Sequence, residues 1–310
     1  MSSSEEQVPI LVTGAHRTGT TWVGKMLAAG GQAAYISEPL NVLHRPGVLS
    51  APVRHWYTYI CTHNESQYLP ALLQTLSFRY HLWDELRAIR SRKDALRMGR
   101  DGSIFFRGRL EHKRPLLKDP FAVFSAPWFA ERLGCQVVIT VRHPAAFASS
   151  LKRLEWAFDF KDLLSQPLLM RDLLEPYRLE MESMPPEDVI GQASLLWKMI
   201  YQAVEDYRQQ HPEFILVRHE DLSLNPLEGF RSLYDALGLK YSPPVEKAIL
   251  SSTSTENPPE LSKSAVHAYK LDSRANLQRW KVRLSRAEID RIASLTGDSA
   301  ADYYPEIDWG

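Results

Sequence analysis

The stretch Thr13–Trp22, TGAHRTGTTW, has residue types and spacing that could do chemistry on a phosphate. Gly14 and Gly19 are separated by four residues, and Thr21 supplies a hydroxyl two places on, as in a phosphate-cradling loop. The Lys that usually follows the second glycine is replaced by Thr20. In a triphosphate site that Lys bridges the β- and γ-phosphates. A loop without it suits a ligand lacking a γ-phosphate, and Arg17 offers a cation from within the loop. Free N–H groups at a following helix N-terminus would supply the remaining anion affinity.

Such a loop needs a strand before it and a helix after it. Residues 9–13, PILVT, form a short apolar run that predicts a buried parallel strand. Helical spacing of Trp22, Val23, Met26 and Leu27 predicts a helix from Thr20 to Ala29, closed by Gly30-Gly31. Further strands are predicted at 33–36, 116–118, 136–141 and 214–217. Between them, helices are expected at 67–76, 82–98, 123–133 and 144–155, two more within 168–211 split at Met184-Pro-Pro, then 227–237 and 246–251. Ser285-Arg-Ala-Glu288 reads as a capping box opening a final helix. Alternation of strand and helix predicts an α/β fold, a central parallel sheet flanked by helices. We expect one domain over 1–310, with helical insertions near 40–115 and 155–210 shaping a pocket.

Composition narrows the partners. Lys plus Arg and Asp plus Glu are both 37, which gives no global signal for nucleic acid. No apolar stretch reaches membrane-spanning length, and the opening MSSSEEQV lacks a signal pattern. Cys135 opens an apolar run and is expected as a reduced core thiol, with Cys61 unbridged. A soluble, cytoplasmic protein is the expectation. From residue 79 to 118 there are twelve Lys/Arg against five Asp/Glu, so a solvated helical face or an anionic acceptor or partner is expected there.

GAHRTGTTW resembles the 5′-phosphosulfate loop of the sulfotransferases that use 3′-phosphoadenylyl sulfate (PAPS), with Arg17, Thr18, Gly19, Thr20, Thr21 and Trp22 matching in order. In VRHPAAFASSL, Arg142 and Ser150 keep the eight-residue spacing of that family's 3′-phosphate site; His143 departs from the usual Asp or Asn. FILVRHEDL and the tail RANLQRWKVRLSRAEIDRI are similar to two more family segments, and Glu220 and Asp221 in the first are expected as helix caps. The resemblance implies a P-loop-like sulfotransferase fold, PAPS as donor and the bisphosphate PAP as product, no metal, and Arg274 or Lys270 as cofactor-covering cations. It implies a hydroxyl or amine acceptor, a hydroxyl being the leading expectation, small or conjugated, that the sequence does not identify.

The resemblance also implies the catalytic group. Glu38, 21 residues beyond Arg17 at the end of the second strand, matches the carboxylate base of the glycan-type branch. Lys118-Asp119-Pro120 is similar to that branch's Lys-(Ser/Thr)-Pro tip, giving Lys118 a supporting role, and His44 and His112 are alternative bases. Trp22 is expected beside the adenine or in the core. Rival readings are an atypical P-loop kinase or nucleotide hydrolase, and a non-catalytic nucleotide-binding module.

Overall fold

The computed structural model describes residues 7–43, 45–260, 262 and 268–310. Five strands form one sheet: β1 Ile10–Gly14, β2 Ala33–Ser37, β3 Arg114–Lys118, β4 Gln136–Val141 and β5 Ile215–Arg218. Their order is β2-β3-β1-β4-β5, and every neighbouring pair is parallel. All five therefore end on one rim. Strands 1, 3 and 4 are buried almost throughout, as expected of a sheet covered on both faces.

Two apolar clusters cover the sheet. One holds Trp22, Val23, Met26 and Leu27 of the Thr20–Ala28 helix against Phe230, Tyr234 and Ile249. The larger one packs the 22-residue Val189–Gln210 helix, through Trp197, Tyr201 and Val204, against Phe147 and Leu151 of the Pro144–Leu154 helix. Among the described residues, no helix is long and apolar enough to cross a membrane.

Most expected elements are present with shifts of one to three residues. The helix expected at 82–98 is instead two, Leu82–Ala88 and Arg92–Leu110. Ser91 breaks it: its hydroxyl accepts from Asp94 N–H at 3.2 Å and donates to the Asp94 carboxylate at 2.8 Å, a local exchange that starts a new helix. The Ser285–Glu288 capping box is formed, and opens the Arg286–Ala301 helix. Both cysteines are free, Cys135 buried.

The basic bias of 79–118 resolves into a solvated helix. In Arg92–Leu110 the positions 92, 93, 97, 100, 107 and 109 are half-buried or exposed, and Arg97 and Arg100 pair with Asp94 and Asp101. Of the whole stretch, Lys118 reaches the rim and Arg114 is buried at the opposite end of the sheet. The bias thus gives no support to an anionic acceptor.

Candidate active site

Register brings the expected residues together. Ser37 pairs with Lys118 across β2 and β3, and Glu38 N–H donates to the Lys118 carbonyl at 2.7 Å. The next side chains along the two strands therefore meet on the rim: Lys118 Nζ donates to Glu38 Oε1, while Asn41 Nδ2 donates to Oε2 at 2.6 Å. Lys118 is fully buried, passing beneath Gly24, where any Cβ would lie 2.9 Å from Tyr35 and 3.1 Å from Lys118. Glu38 itself is held at φ 50°, a left-handed conformation that costs a non-glycine residue energy.

The Gly14–Gly19 loop crosses the same rim. Gly14 has φ 136°, and a Cβ there would stand 2.3 Å from the Thr140 carbonyl, so only glycine lets β1 turn this close to β4. Thr18 is fully buried: its hydroxyl donates to the Ala15 carbonyl at 2.5 Å and contacts Thr140 Oγ1 at 2.7 Å. Thr18 thus holds the loop's shape, and it lines none of the three cavities around the loop. Gly19, at φ 99°, caps the Thr20–Ala28 helix, whose first turn carries Thr20 and Thr21.

Arg17, also left-handed at φ 69°, joins the loop to the second expected site. Its Nε donates to Ser150 Oγ at 3.4 Å, and its carbonyl accepts from Arg142 Nη1 at 3.2 Å. Arg142 Nη2 donates to Asn276 at 2.8 Å, whereas its buried Nε has no partner among the described residues. Ser149, Ser150, Arg153, Arg279 and Arg283 complete a basic pocket around Arg17 and Arg142. Burial and the neighbouring Arg142 and Arg153 lower the Arg17 pKa to about 10, so it stays charged at neutral pH. The carboxylate of this pocket is Glu260, bonded to Arg283 and 3.2 Å from Arg153.

Two more cavities meet at the loop. One is lined by Gly19, Thr21, Trp22, His219, Ser252, Tyr269 and Asn276. Trp22 both packs and lines: it is buried against Phe230, and its Nε1 donates to Ser252 at 2.9 Å. The other is a cleft of about 570 Å³ lined by Trp56, Phe121, Trp156 and Phe158 together with Glu38, Asn41, Asp159 and Asp162. Arg17, Thr20 and Thr21 line both cavities. A group held at that junction would face Glu38 on one side and the basic pocket on the other.

Several expectations shift. Arg274 is exposed and donates to the Leu224 carbonyl at 3.0 Å, and it lines none of these three cavities. Lys270 is exposed as well; its neighbours Tyr269 and Leu271 do the lining. The cations that the tail does contribute are Arg279 and Arg283, four apart on one short helix and facing Ser149 and Glu260. That spacing was visible in the sequence. His112 sits before β3, at the strands' opposite ends beside Gln136 and Leu239, on the order of 16 Å from the rim for a five-residue strand. It cannot reach Glu38's partner atoms, and His44 lies outside the described residues. His143 caps the Pro144–Leu154 helix through Nδ1, accepting from Ala145 N–H at 3.2 Å, and stacks on Trp280 at 4.9 Å. Glu220 accepts from His143 N–H and the Tyr304 hydroxyl, tying the β4 turn to the chain's end, and Asp221 pairs with Arg218. His16 was not foreseen and lines the cleft; Tyr57, one of the aromatics that could line a pocket or fill the core, is buried, with its hydroxyl 2.6 Å from His16 Nδ1.

The chain is similar to known proteins along most of its length. Over 79 residues the chain is 37% identical to carbohydrate sulfotransferase 1 of Danio rerio, a match covering 25% of this chain and 18% of that protein. Solved structures that align with it include a sulfotransferase domain from the curacin biosynthetic pathway, at 16% identity over 94% of this chain and 98% of that one, with TM-score 0.46. Mouse SULT7A1, solved in complex with PAP, aligns at 12% identity over 99% and 92% of the two chains, with TM-score 0.44. Residues 9–243, which carry β1 through β5 and every expected site residue except Lys270 and Arg274, match the model of the sulfotransferase family, and the chain belongs to that family.

Proposed function

We propose that the protein moves a sulfuryl group from PAPS to a hydroxyl of an acceptor bound in the aromatic cleft. The observation that carries this reading is the junction at Arg17, Thr20 and Thr21: all three line both the cavity beside Trp22 and the cleft that holds Glu38, and Arg17 also lines the basic pocket around Arg142. In this reading Arg142, Ser150 and the surrounding arginines hold the 3′-phosphate by charge-assisted hydrogen bonds. The unpartnered Arg142 Nε is a donor in want of an acceptor, as a phosphate oxygen would be. Gly19, Thr20 and Thr21 offer helix N-terminal N–H groups to the 5′-phosphosulfate.

Glu38 takes the acceptor's proton as its oxygen attacks sulfur. Lys118 and Asn41 hold that carboxylate in place by donating to its two oxygens. Arg17 neutralises the charge that grows on the departing phosphate. The chemistry as written needs no metal. The cleft is lined by four aromatic rings, and its carboxylates Glu38, Asp159 and Asp162 outnumber the single cation Arg17, which favours an uncharged acceptor with an apolar face over an anionic one.

Thermal shift with PAP in EDTA tests the donor half, and transfer from radiolabelled PAPS to a panel of alcohols tests the rest. PAP should stabilise the protein without magnesium. Stabilisation by Mg-ATP alone would point to a kinase or hydrolase and overturn the reading. PAP binding with no transfer to any acceptor would leave a non-catalytic nucleotide-binding module.

A further inference from the structure

His16 stands inside the phosphate loop, next to Arg17, and its ring lines the aromatic cleft with Glu38. Phe121, Phe147, Trp156 and Tyr57 surround it at ring-centroid distances of 5.6–6.4 Å. Burial, and then the charge of Arg17, lower its pKa to about 4, so the imidazole is neutral near pH 7. A neutral imidazole has one N–H and one lone pair, and which nitrogen carries which decides what it can do.

Tyr57 decides it. Its side chain is fully buried, and its hydroxyl oxygen lies 3.2 Å from His16 N and 2.6 Å from His16 Nδ1. The backbone N–H can only donate, so it fills one acceptor position of that oxygen. If Nδ1 also donated, the buried hydroxyl proton would have no acceptor among the described residues. The satisfied arrangement is Tyr57 O–H donating to Nδ1, which puts the ring proton on Nε2. Tyr57 is not free to swing away. It sits at φ 57°, its carbonyl accepts from Gln166 Nε2 at 3.3 Å, and Phe121, Phe124 and Phe158 pack its ring. Nε2 has no hydrogen-bond partner among the described residues and belongs to the ring edge away from Tyr57.

We propose that His16, locked by Tyr57 as an Nε2–H donor, orients the acceptor oxygen and makes the site selective for hydroxyls over amines. The inference rests on the sulfuryl-transfer reading of the same site. A hydroxyl oxygen has two lone pairs and one proton. One lone pair forms the new O–S bond, while the other accepts from His16 Nε2–H. The O–H proton passes to Glu38, and the S–O bond to the 5′-phosphate breaks with its electron pair leaving on PAP. A neutral amine has a single lone pair, which the new N–S bond consumes, so Nε2–H would be left facing nitrogen with nothing to donate to. Buried groups left unpaired are what give such sites their discrimination. His16 is therefore not the base, because its lone pair is already committed to Tyr57.

Two measurements test this. The first is the ¹⁵N spectrum of the His16 imidazole in histidine-labelled protein with PAP, identified by its loss in His16→Phe. Signals of a neutral ring protonated on Nε2 are expected; an Nδ1–H ring or an imidazolium at pH 7 would overturn the assignment. The second is kcat/KM for 2-naphthol and 2-naphthylamine, both uncharged at pH 7.5, in wild type and His16→Phe. The alcohol rate should fall on the order of 10–100-fold and the amine rate by no more than about threefold, compressing the ratio. Equal losses for the two acceptors, or no loss for either, would sink the proposal. Tyr57→Phe keeps the ring but frees its tautomer, and should compress the ratio in the same direction by a smaller factor. PAP affinity, measured on the same samples, separates the outcomes: its absence in wild type would refute the PAPS reading while leaving the tautomer result standing.

Discussion

The two sides of the Gly14–Gly19 loop are built from opposite materials. On the donor side, arginines 17, 142, 153, 279 and 283 converge with helix N-terminal N–H groups. On the acceptor side the walls are Trp56, Phe121, Trp156 and Phe158, and the charged groups beside Arg17 are Glu38, Asp159 and Asp162. Arg17 belongs to both, with its guanidinium 5.9 Å from the Trp156 ring and bonded to Ser150. The contrast follows from the ligands each side suits. Phosphates are gripped by fixed charges and backbone donors, whereas a neutral acceptor is gripped by area and oriented by a few polar atoms.

If the two sides are separable, a change on one should leave the other's equilibrium untouched. The largest expected effect is from Glu38→Gln. Turnover should fall by about 10²–10⁴-fold, the usual worth of a general base, with PAP affinity unchanged. Full activity would remove Glu38 from the mechanism; lost PAP binding would show that the Glu38–Lys118 pair supports the donor side too. Next is Arg142→Ala, which should weaken PAP by roughly 1.5–3 kcal/mol, the scale of a hydrogen bond to a charged group. Calorimetry reads it directly. An unchanged affinity would take the 3′-phosphate away from this pocket.

The contrast also explains what the sequence disclosed. The part of the proposed donor side that could be read from the chain is local: residues 14–22 hold one half, and Arg142 with Ser150 spans a single strand-to-helix turn, whereas Arg279 and Arg283 come from the distant tail. Phosphate chemistry needs glycines, hydroxyls and cations at fixed offsets, and the family resemblance rests on that spacing. Glu38 and Lys118 were legible because each ends a strand, although their contact depends on the Ser37–Lys118 register. The acceptor side is gathered from residues 16, 38–43, 56, 120–121 and 156–162, and an aromatic residue in a loop looks the same whether it lines a cleft or fills a core. His16 escaped for a different reason. Its role comes from Tyr57, 41 residues away, and no spacing encodes which nitrogen holds a proton. Several basic residues share the tail, and Arg274 sits on the Ser273–Leu277 helix while Arg279 and Arg283 sit on the next one, a break that the loose spacing of the tail did not disclose.

Each side also buries an imidazole with a pKa lowered to about 4, His16 by burial and Arg17, His143 by burial. Between pH 6.5 and 4 the unfolded chain binds protons that these rings refuse, so stability falls as pH falls, on the order of 1.4 kcal/mol per pH unit for each ring. Asp119 acts oppositely: burial raises its pKa to about 7, so the folded state holds a proton the unfolded state has released. A difference between variants cancels that term. The slope of melting temperature from pH 7 to 5 should be shallower in His143→Phe than in wild type, whatever offset the lost helix cap adds. Identical slopes would mean that His143 is protonated in the fold at pH 5.

The smallest expected effect has the opposite sign to Arg142→Ala. Glu260 lies within the donor side's basic pocket, bonded to Arg283, 3.2 Å from Arg153 and 4.0 Å from Arg279, and it is three-quarters buried. Asn276, which also holds Arg142, donates to the Pro259 carbonyl at 3.0 Å and keeps this carboxylate in place. A phosphate entering the pocket must share these arginines with a charge of its own sign. Glu260→Gln should therefore tighten PAP about 3–10-fold at low salt, a gain of about 1 kcal/mol that shrinks as salt screens the pocket. The same change leaves the arginines facing one another, so the unliganded protein should melt at lower temperature. Acceptor KM should not move, because Glu260 lines no part of the aromatic cleft. Weaker PAP binding would mean that Glu260 serves to position the arginines for the phosphate, and that the carboxylate on the donor side is part of the grip.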